Sequence, residues 1–333
     1  MISCMNASET SIEPAPPNVL GALRRGFDVI ANHAGLLLFP LGLDLLLWLG
    51  PRLRVQSLMA QLLSWVASAT GLSMAQVVGL PADSRLTVSV VLERLNLAAV
   101  LRTYPVGIPS LMAGSLPMEA PLGQPPIWEV PSWWAVAGLW ALLTLIGLAL
   151  GIFYYQVVAQ AALQGKVHLK EALAQWPLAT LNIVVLALIV IAFLLVVSIP
   201  FSCAFSMLPA GGLQFGGLLY IGLAAWMLFP LFFTPHGVLG MRNNLLTAVR
   251  RSERLTRLSF PQTVLLVVLA LASSQLMDLL WRVPEETSWL MLVGIAGHAF
   301  VATSLLAATF IYYRDADHWA EDTARKLRLK ALG

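Results

Sequence analysis

The chain has 333 residues, of which 58% are hydrophobic and 11% charged, with a formal net charge of +3. Soluble domains carry roughly 25% charged residues, so this composition excludes an ordinary soluble domain and a disordered chain alike. The two cysteines, Cys4 and Cys203, fall in a polar tail and an apolar run, which excludes a disulfide framework and any cysteine metal spacing.

Residues 1–18 hold Glu9, Glu13, Pro14, Pro16 and Pro17 with no basic start and no apolar run. That pattern predicts no signal peptide, and the first helix is expected to act as its own insertion signal. Residues 18–30 then read as an amphipathic helix capped by Asn18. Val19, Leu20, Leu23 and Phe27 share one face, and Arg24 and Arg25 turn away from it. Six apolar stretches follow, at 27–50, 133–163, 178–208, 212–238, 260–281 and 287–313. Each has about the twenty residues a helix needs to cross a bilayer's hydrocarbon core. The expected fold is therefore all-α, a polytopic transmembrane helix bundle of six spans in a single membrane domain. Residues 1–26 are read as a cytoplasmic tail and interfacial helix, 51–132 as one long outer loop, and 314–333 as a cytoplasmic tail.

The outer loop is too apolar to be disordered. Residues 53–69 place Leu58, Leu62 and Trp65 at helical spacing, and 83–104 begin with a cap at Asp83 or Ser84. Neither segment is long and unbroken enough to span. After Tyr104 the chain turns Pro/Gly-rich. The run Pro105–Gly114 is apolar for an exposed loop and is expected to pack in a re-entrant position between helices. Irregular backbone at membrane depth is tolerated only where protein buries it. In the next span, the small residues of 138–151 predict close helix packing.

Two further amphipathic segments precede later spans, at 168–176 and 243–260. Ala22-Leu23-Arg24-Arg25, Ala172-Leu173-Ala174-Gln175 and Ala248-Val249-Arg250-Arg251 fall in matching places. They suggest a three-unit repeat of interfacial helix, helix out and helix back. The competing reading is that any positive-inside amphipathic linker has this look. Lys and Arg concentrate in the segments that share a side with the N-terminus, and Arg52, Arg54, Arg85, Arg94, Arg102 and Arg282 are the basic residues of the other side. This bias predicts both termini in the cytoplasm and a multi-pass protein of the cell membrane. Tyr154, Tyr155, Trp176, Tyr312 and Tyr313 are expected at the headgroup level on the inner side.

The stretch LLTAVRRSERLTRLSF (245–260) with its following apolar span, and ATFIYYRDAD (308–317) at the end of the last, resemble a group of uncharacterised bacterial six-helix membrane proteins. The membrane domain attached to some glycerophosphodiester phosphodiesterases is similar. The resemblance implies an architecture across the last two-thirds of the chain. It implies no activity, because the soluble phosphodiesterase domain is missing from this sequence.

Ionisable residues inside spans are the default functional candidates. Asp44, Asp278 and His298 are the three. One reading has them line a polar cavity that handles a proton, cation or small solute. The other has the aspartates satisfy helix ends or loop arginines such as Arg52 or Arg282, and His298 bond a neighbouring helix. Arg24, Arg25, Arg250, Arg251, Arg254 and Arg257 are candidate contacts for the membrane surface or a protein partner. The tail 315–333 runs from acidic to basic and suits a short helix on anionic lipid or a partner contact. The sequence holds no phosphate-binding loop, no dinucleotide glycine fingerprint, no nucleophile elbow and no zinc-protease motif. No cofactor is expected, and the basic excess is a topological effect, not a nucleic-acid surface. These features point to a non-enzymatic scaffold, assembly factor or membrane subunit. The alternative is a small transporter using Asp44, Asp278 and His298.

Overall fold

The computed structural model describes residues 16–71, 90, 92–205 and 210–332. Cys4 and the expected cap at Asp83 or Ser84 lie outside the described residues. The chain forms an all-α bundle of membrane helices with one short pair of strands. Helices α1 (Val19–Asn32) and α2 (Leu38–Leu49) are joined by a 3₁₀ turn, Ala34–Leu37. Strand β1 (Arg52–Arg54) and helix α3 (Gln56–Thr70) follow. A 3₁₀ turn at Leu97–Leu101, helix α4 (Met112–Ser115) and strand β2 (Ile127–Glu129) complete the loop region. The two strands pair in parallel, Leu53 opposite Trp128. Helices α5 (Trp133–Gln164), α6 (Leu169–Phe205), α7 (Ala210–Leu228) and α8 (Thr234–Leu239) come next, then α9 (Leu245–Leu258), α10 (Phe260–Trp281) and α11 (Met291–Leu332).

Among the described residues five helices are long and apolar enough to cross a membrane, and the pair α1 and α2 makes a sixth if counted as one bent span. The expectation of a continuous first span at 27–50 needs correction here. The backbone turns through 91° between the two helices. Residues 27–32 belong to α1, and the 3₁₀ turn and α2 carry the rest of the run in a new direction. Asn32 and His33 interrupt the apolar run where the bend falls, but hydropathy does not encode the direction taken after it. Two other expected boundaries dissolve. Residues 169–176 join the next span in one helix of 37 residues that passes through Pro177. The C-terminal tail simply continues α11, which reaches 42 residues.

Helix α11 is the spine. Of its apolar window 56% is buried, against 11–17% in the other candidate spans. Those other helices present Leu, Ile and Val outward along most of their length, as lipid-facing surfaces do. Close crossings hold the bundle to the spine. A Cβ on Gly26 of α1 would lie 2.5 Å from the Ser304 carbonyl oxygen and 2.7 Å from Ala308 Cβ. The buried face of α1 therefore rests on α11, not on lipid as its amphipathic pattern suggested. At the other end, the Trp281 ring fills a notch at Gly297, where a Cβ would come within 2.6 Å.

The segment 97–116 is re-entrant. It descends along α5, turns at Pro105–Pro109 and returns to α4. Gly147 and Gly151 open the surface of α5 to it: a Cβ on Gly147 would sit 2.3 Å from Leu101 O, and one on Gly151 2.6 Å from Gly107 Cα. The small stripe on α5 thus admits loop backbone as well as helices. Tyr155 donates to Pro105 O at 3.3 Å, and its neighbour Tyr154 donates to Thr303 Oγ1 at 2.8 Å. Thr303 lies about 18 Å along α11 from Met291 and about 16 Å from Arg314, at 1.5 Å per residue. The loop tip therefore reaches the middle of the bundle. Tyr154 and Tyr155 are interior anchors, not headgroup-level rings.

Gly151→Leu should lower the melting temperature of the detergent-solubilised protein by several degrees, because the loop backbone cannot yield. Gly138, with nothing within 4 Å of a built Cβ, should accept Leu without change. Equal effects at both positions in a thermal-shift assay would contradict the close approach.

Candidate functional site

Asp44 sits on the buried face of α2 with Pro40, Leu43, Leu47 and Trp48. Its carboxylate is fully buried and spends both oxygens on the returning limb of the re-entrant loop. Oδ2 accepts from Leu111 N at 3.1 Å, and Oδ1 from Met112 N at 2.9 Å and from the Ser110 hydroxyl. The Ser110 oxygen in turn accepts from Ala113 N at 3.0 Å. One side chain thus satisfies the backbone donors left where the loop turns into α4. Such donors have no water to turn to at this depth.

Asp278 and His298 come together across the α10–α11 hairpin, with His298 Nδ1 donating to Asp278 Oδ1 at 2.7 Å. Both residues lie near the loop end of their helices. His298 is 3% exposed, and its Nε2 is buried without a partner among the described residues. With Nδ1 carrying the proton, Nε2 of the neutral ring is left as an acceptor. Asp44 lies within electrostatic reach of His298 but is not bonded to either member of the pair among the described residues. The three residues therefore share one region, and one contact joins two of them.

Two clefts open elsewhere. One, of about 450 Å³, lies between α1, α5 and α11 and is lined in part by Arg25, Asp28, His33 and Arg314. The other, of about 140 Å³, lies at the re-entrant tip beside Tyr104, Tyr155 and Leu306. Neither is lined by Asp44, Asp278 or His298. Among the described residues no three His, Cys, Asp or Glu side chains group to hold a metal ion.

The arginine candidates divide by geometry. Helices α1 and α9 have 14 residues each, and each is capped by an asparagine whose side chain accepts from the third helical N–H at 2.9 Å. Ala22 and Ala248 occupy the same place in them and are fully buried. The second arginine of each pair then reaches the same short stretch of α11. Arg25 Nη2 meets Asp315 Oδ2 at 2.5 Å, and Arg251 Nη1 meets Asp317 Oδ2 at 2.8 Å. Arg254 approaches Asp317 at 3.7 Å, and Arg257 pairs with Glu253 of its own helix at 2.6 Å. Arg24 and Arg250, the first of each pair, are exposed and have no ion-pair partner among the described residues.

This double latch was not visible in the sequence. Nothing local to Tyr313-Arg314-Asp315-Ala316-Asp317 points to its partners, which lie 290 residues upstream or 66 residues away across a hairpin. A second unseen device is Ser252 of α9. Its hydroxyl donates to Pro230 O at 2.7 Å and accepts from Phe233 N at 3.0 Å. It thereby satisfies both groups freed where the helix breaks before α8. His236 lies just beyond, bonded through Nε2 to Thr309 Oγ1 at 2.8 Å. The rings of Phe232, Phe233, Phe310 and Tyr313 surround it.

Compared with known protein families, curated proteins and solved structures, the chain matches none.

Two stability effects follow from this geometry. Asp44→Ala leaves a buried hydroxyl and two N–H groups unpaired, at about 1–3 kcal/mol each, so its melting temperature should fall far below the wild type. Arg251→Gln should cost more than Arg25→Gln. The Asp317 side chain is 4% exposed whereas that of Asp315 is 28% exposed. Exposed pairs contribute at most about 1 kcal/mol, while stripping a buried carboxylate of its partner costs about 3–5 kcal/mol, less here because Arg251 is one-third exposed and Arg254 still approaches Asp317 at 3.7 Å. Thermal melts of the two variants in one detergent decide the order, and a greater loss in Arg25→Gln would contradict it.

Proposed function

We propose that this membrane protein is a non-enzymatic scaffold or the membrane subunit of a complex, lying in the cell membrane with both termini in the cytoplasm. One observation carries the reading. The carboxylates placed inside the bundle are spent on internal bonds, Asp44 on the re-entrant loop and Asp278 on His298. A residue that passes ions or protons must exchange partners. A residue that clamps backbone must not.

The distribution of Lys and Arg supports the orientation. The double latch supports the role, because it fixes two cationic helices against the spine at the end that carries the termini. Arg24 and Arg250 then stand free, at matching positions, for anionic headgroups or an acidic partner. Arg25, Arg251, Arg254 and Arg257 are engaged within the chain. The resemblance to a membrane domain that accompanies a soluble unit in some phosphodiesterases fits this role. The bilayer is one partner, and a cytoplasmic or membrane protein is the other. No nucleic acid is expected.

A transporter is the second reading, and one observation favours it. His298 Nε2 is buried, unpaired and within electrostatic reach of Asp44. Reconstitution separates the two. Purified protein in vesicles containing a pH-sensitive dye, under an imposed proton gradient and potential, should leak no faster than protein-free vesicles. The double variant Asp44→Asn/His298→Ala should match it. Gradient-driven flux in the wild type, lost in the double variant, would replace the scaffold with a transporter. Purification from native membranes should yield a stoichiometric protein partner that Arg24→Glu/Arg250→Glu loses. Identical recovery with that variant would remove the two arginines from the interface.

A further inference from the structure

We propose that Arg102 and Arg282 form a phosphate clamp at the loop end of the bundle, occupied by the phosphodiester of a single membrane phospholipid. The two guanidiniums converge on one backbone position. A Cβ built on Gly114 would lie 2.8 Å from Arg282 Nη2 and 3.5 Å from Arg102 Nη1. Two like charges brought to the same α-carbon repel unless an anion sits between them. Phosphate oxygens match the planar fork of guanidinium donors. The absence of a side chain at Gly114 leaves the approach open.

Among the described residues, the carboxylates of this end do not neutralise the pair. Glu286 accepts from Arg94 at 3.3 Å and from Met118 N at 2.8 Å. Glu129 accepts from Ser57, Glu93 faces Arg54 and Asp278 holds His298. Glu119 and Glu285 are exposed and make no ion pair with either arginine among the described residues. Arg102 is steadied by lying over the Tyr104 ring at 5.2 Å, a contact that orients the cation without cancelling its charge.

The surroundings select a lipid as the source of the phosphate. Arg282 follows Trp281, and Trp48 and Trp289 meet edge to face at the same end, with centroids 6.0 Å apart. Amphipathic rings of this kind mark the headgroup level. Leu279 and Val283 flank Arg282 and are 71% and 73% exposed, which places the arginine on an apolar, lipid-facing surface. Arg102 also lines the cleft of about 140 Å³ beside Tyr104, Pro109, Ala302 and Leu306. That cleft offers an acyl chain a path toward the middle of the bundle.

Delipidated full-length protein, titrated in neutral detergent with phosphatidylglycerol, tests the clamp by thermal shift and by native mass spectrometry. The wild type should melt higher and retain one lipid. Arg102→Gln/Arg282→Gln should bind at least tenfold more weakly, while Lys166→Gln/Lys170→Gln, exposed at the opposite end, keeps wild-type binding. Arg282→Gln alone, at an exposed helix end, repeats the test should the double variant fail to fold. Gly114→Ala keeps both charges but displaces the Arg282 guanidinium, and should weaken binding by a few fold. Undiminished lipid retention in the arginine variants would overturn the clamp. Inorganic phosphate alone should give no shift, and a shift with phosphate equal to that with lipid would overturn the lipid assignment.

Discussion

Backbone that leaves a helix at membrane depth must find every hydrogen-bond partner inside the protein, because hydrocarbon supplies none. The architecture of this chain follows from meeting that constraint at two places. At the re-entrant loop, Asp44 and Ser110 take up the amide donors of residues 111–113. At the break before α8, Ser252 takes up a carbonyl and an amide at once. In both cases one rescuing side chain, Asp44 or Ser252, comes from a different segment, so the irregular backbone and its neighbour become one unit. Removing the side chain does not merely cost a bond. It exposes polar backbone to a medium that cannot solvate it.

The second organising feature is the spine. Helix α11 buries one helix against it by glycine contact at Gly26, another by a tryptophan seated at Gly297, and a third through Tyr154 and Thr303. At its far end, two acidic residues two positions apart, Asp315 and Asp317, receive arginines from two helices of similar design. The matching caps, alanines and arginine pairs of α1 and α9 give the suggested repeat a structural counterpart in these two segments. The corresponding segment of α6 shares the buried alanine, Ala172, but merges with its span.

Much of this was legible residue by residue. The Asn18 cap and its periodic face mark α1, and the apolar runs mark the long helices. The proline-rich stretch after Tyr104 was readable as re-entrant from its apolarity alone. What escaped was direction and pairing. The polar pair Asn32-His33 marks a break in the run 27–50, but not the right angle the backbone turns there. The partners of Asp44 lie 66 to 68 residues away and those of Arg25 lie 290 away, distances at which charge and polarity leave no local period. The small residues on α5 announced a close contact, but their spacing does not say whether a helix or a loop fills the space. The intramembrane aspartates stood out for the right physical reason, since polar groups there are costly. That cost can be met by structure as readily as by transport.

Backbone amide exchange at the loop tests this picture most directly. If Asp44 holds the re-entrant segment, the amides of Leu111 and Met112 exchange slowly in the wild type, on the scale of the buried half of α5. In Asp44→Asn they exchange orders of magnitude faster while α5 stays protected. Fast exchange at Leu111 and Met112 in the wild type, or slow exchange unaltered by the substitution, would contradict it.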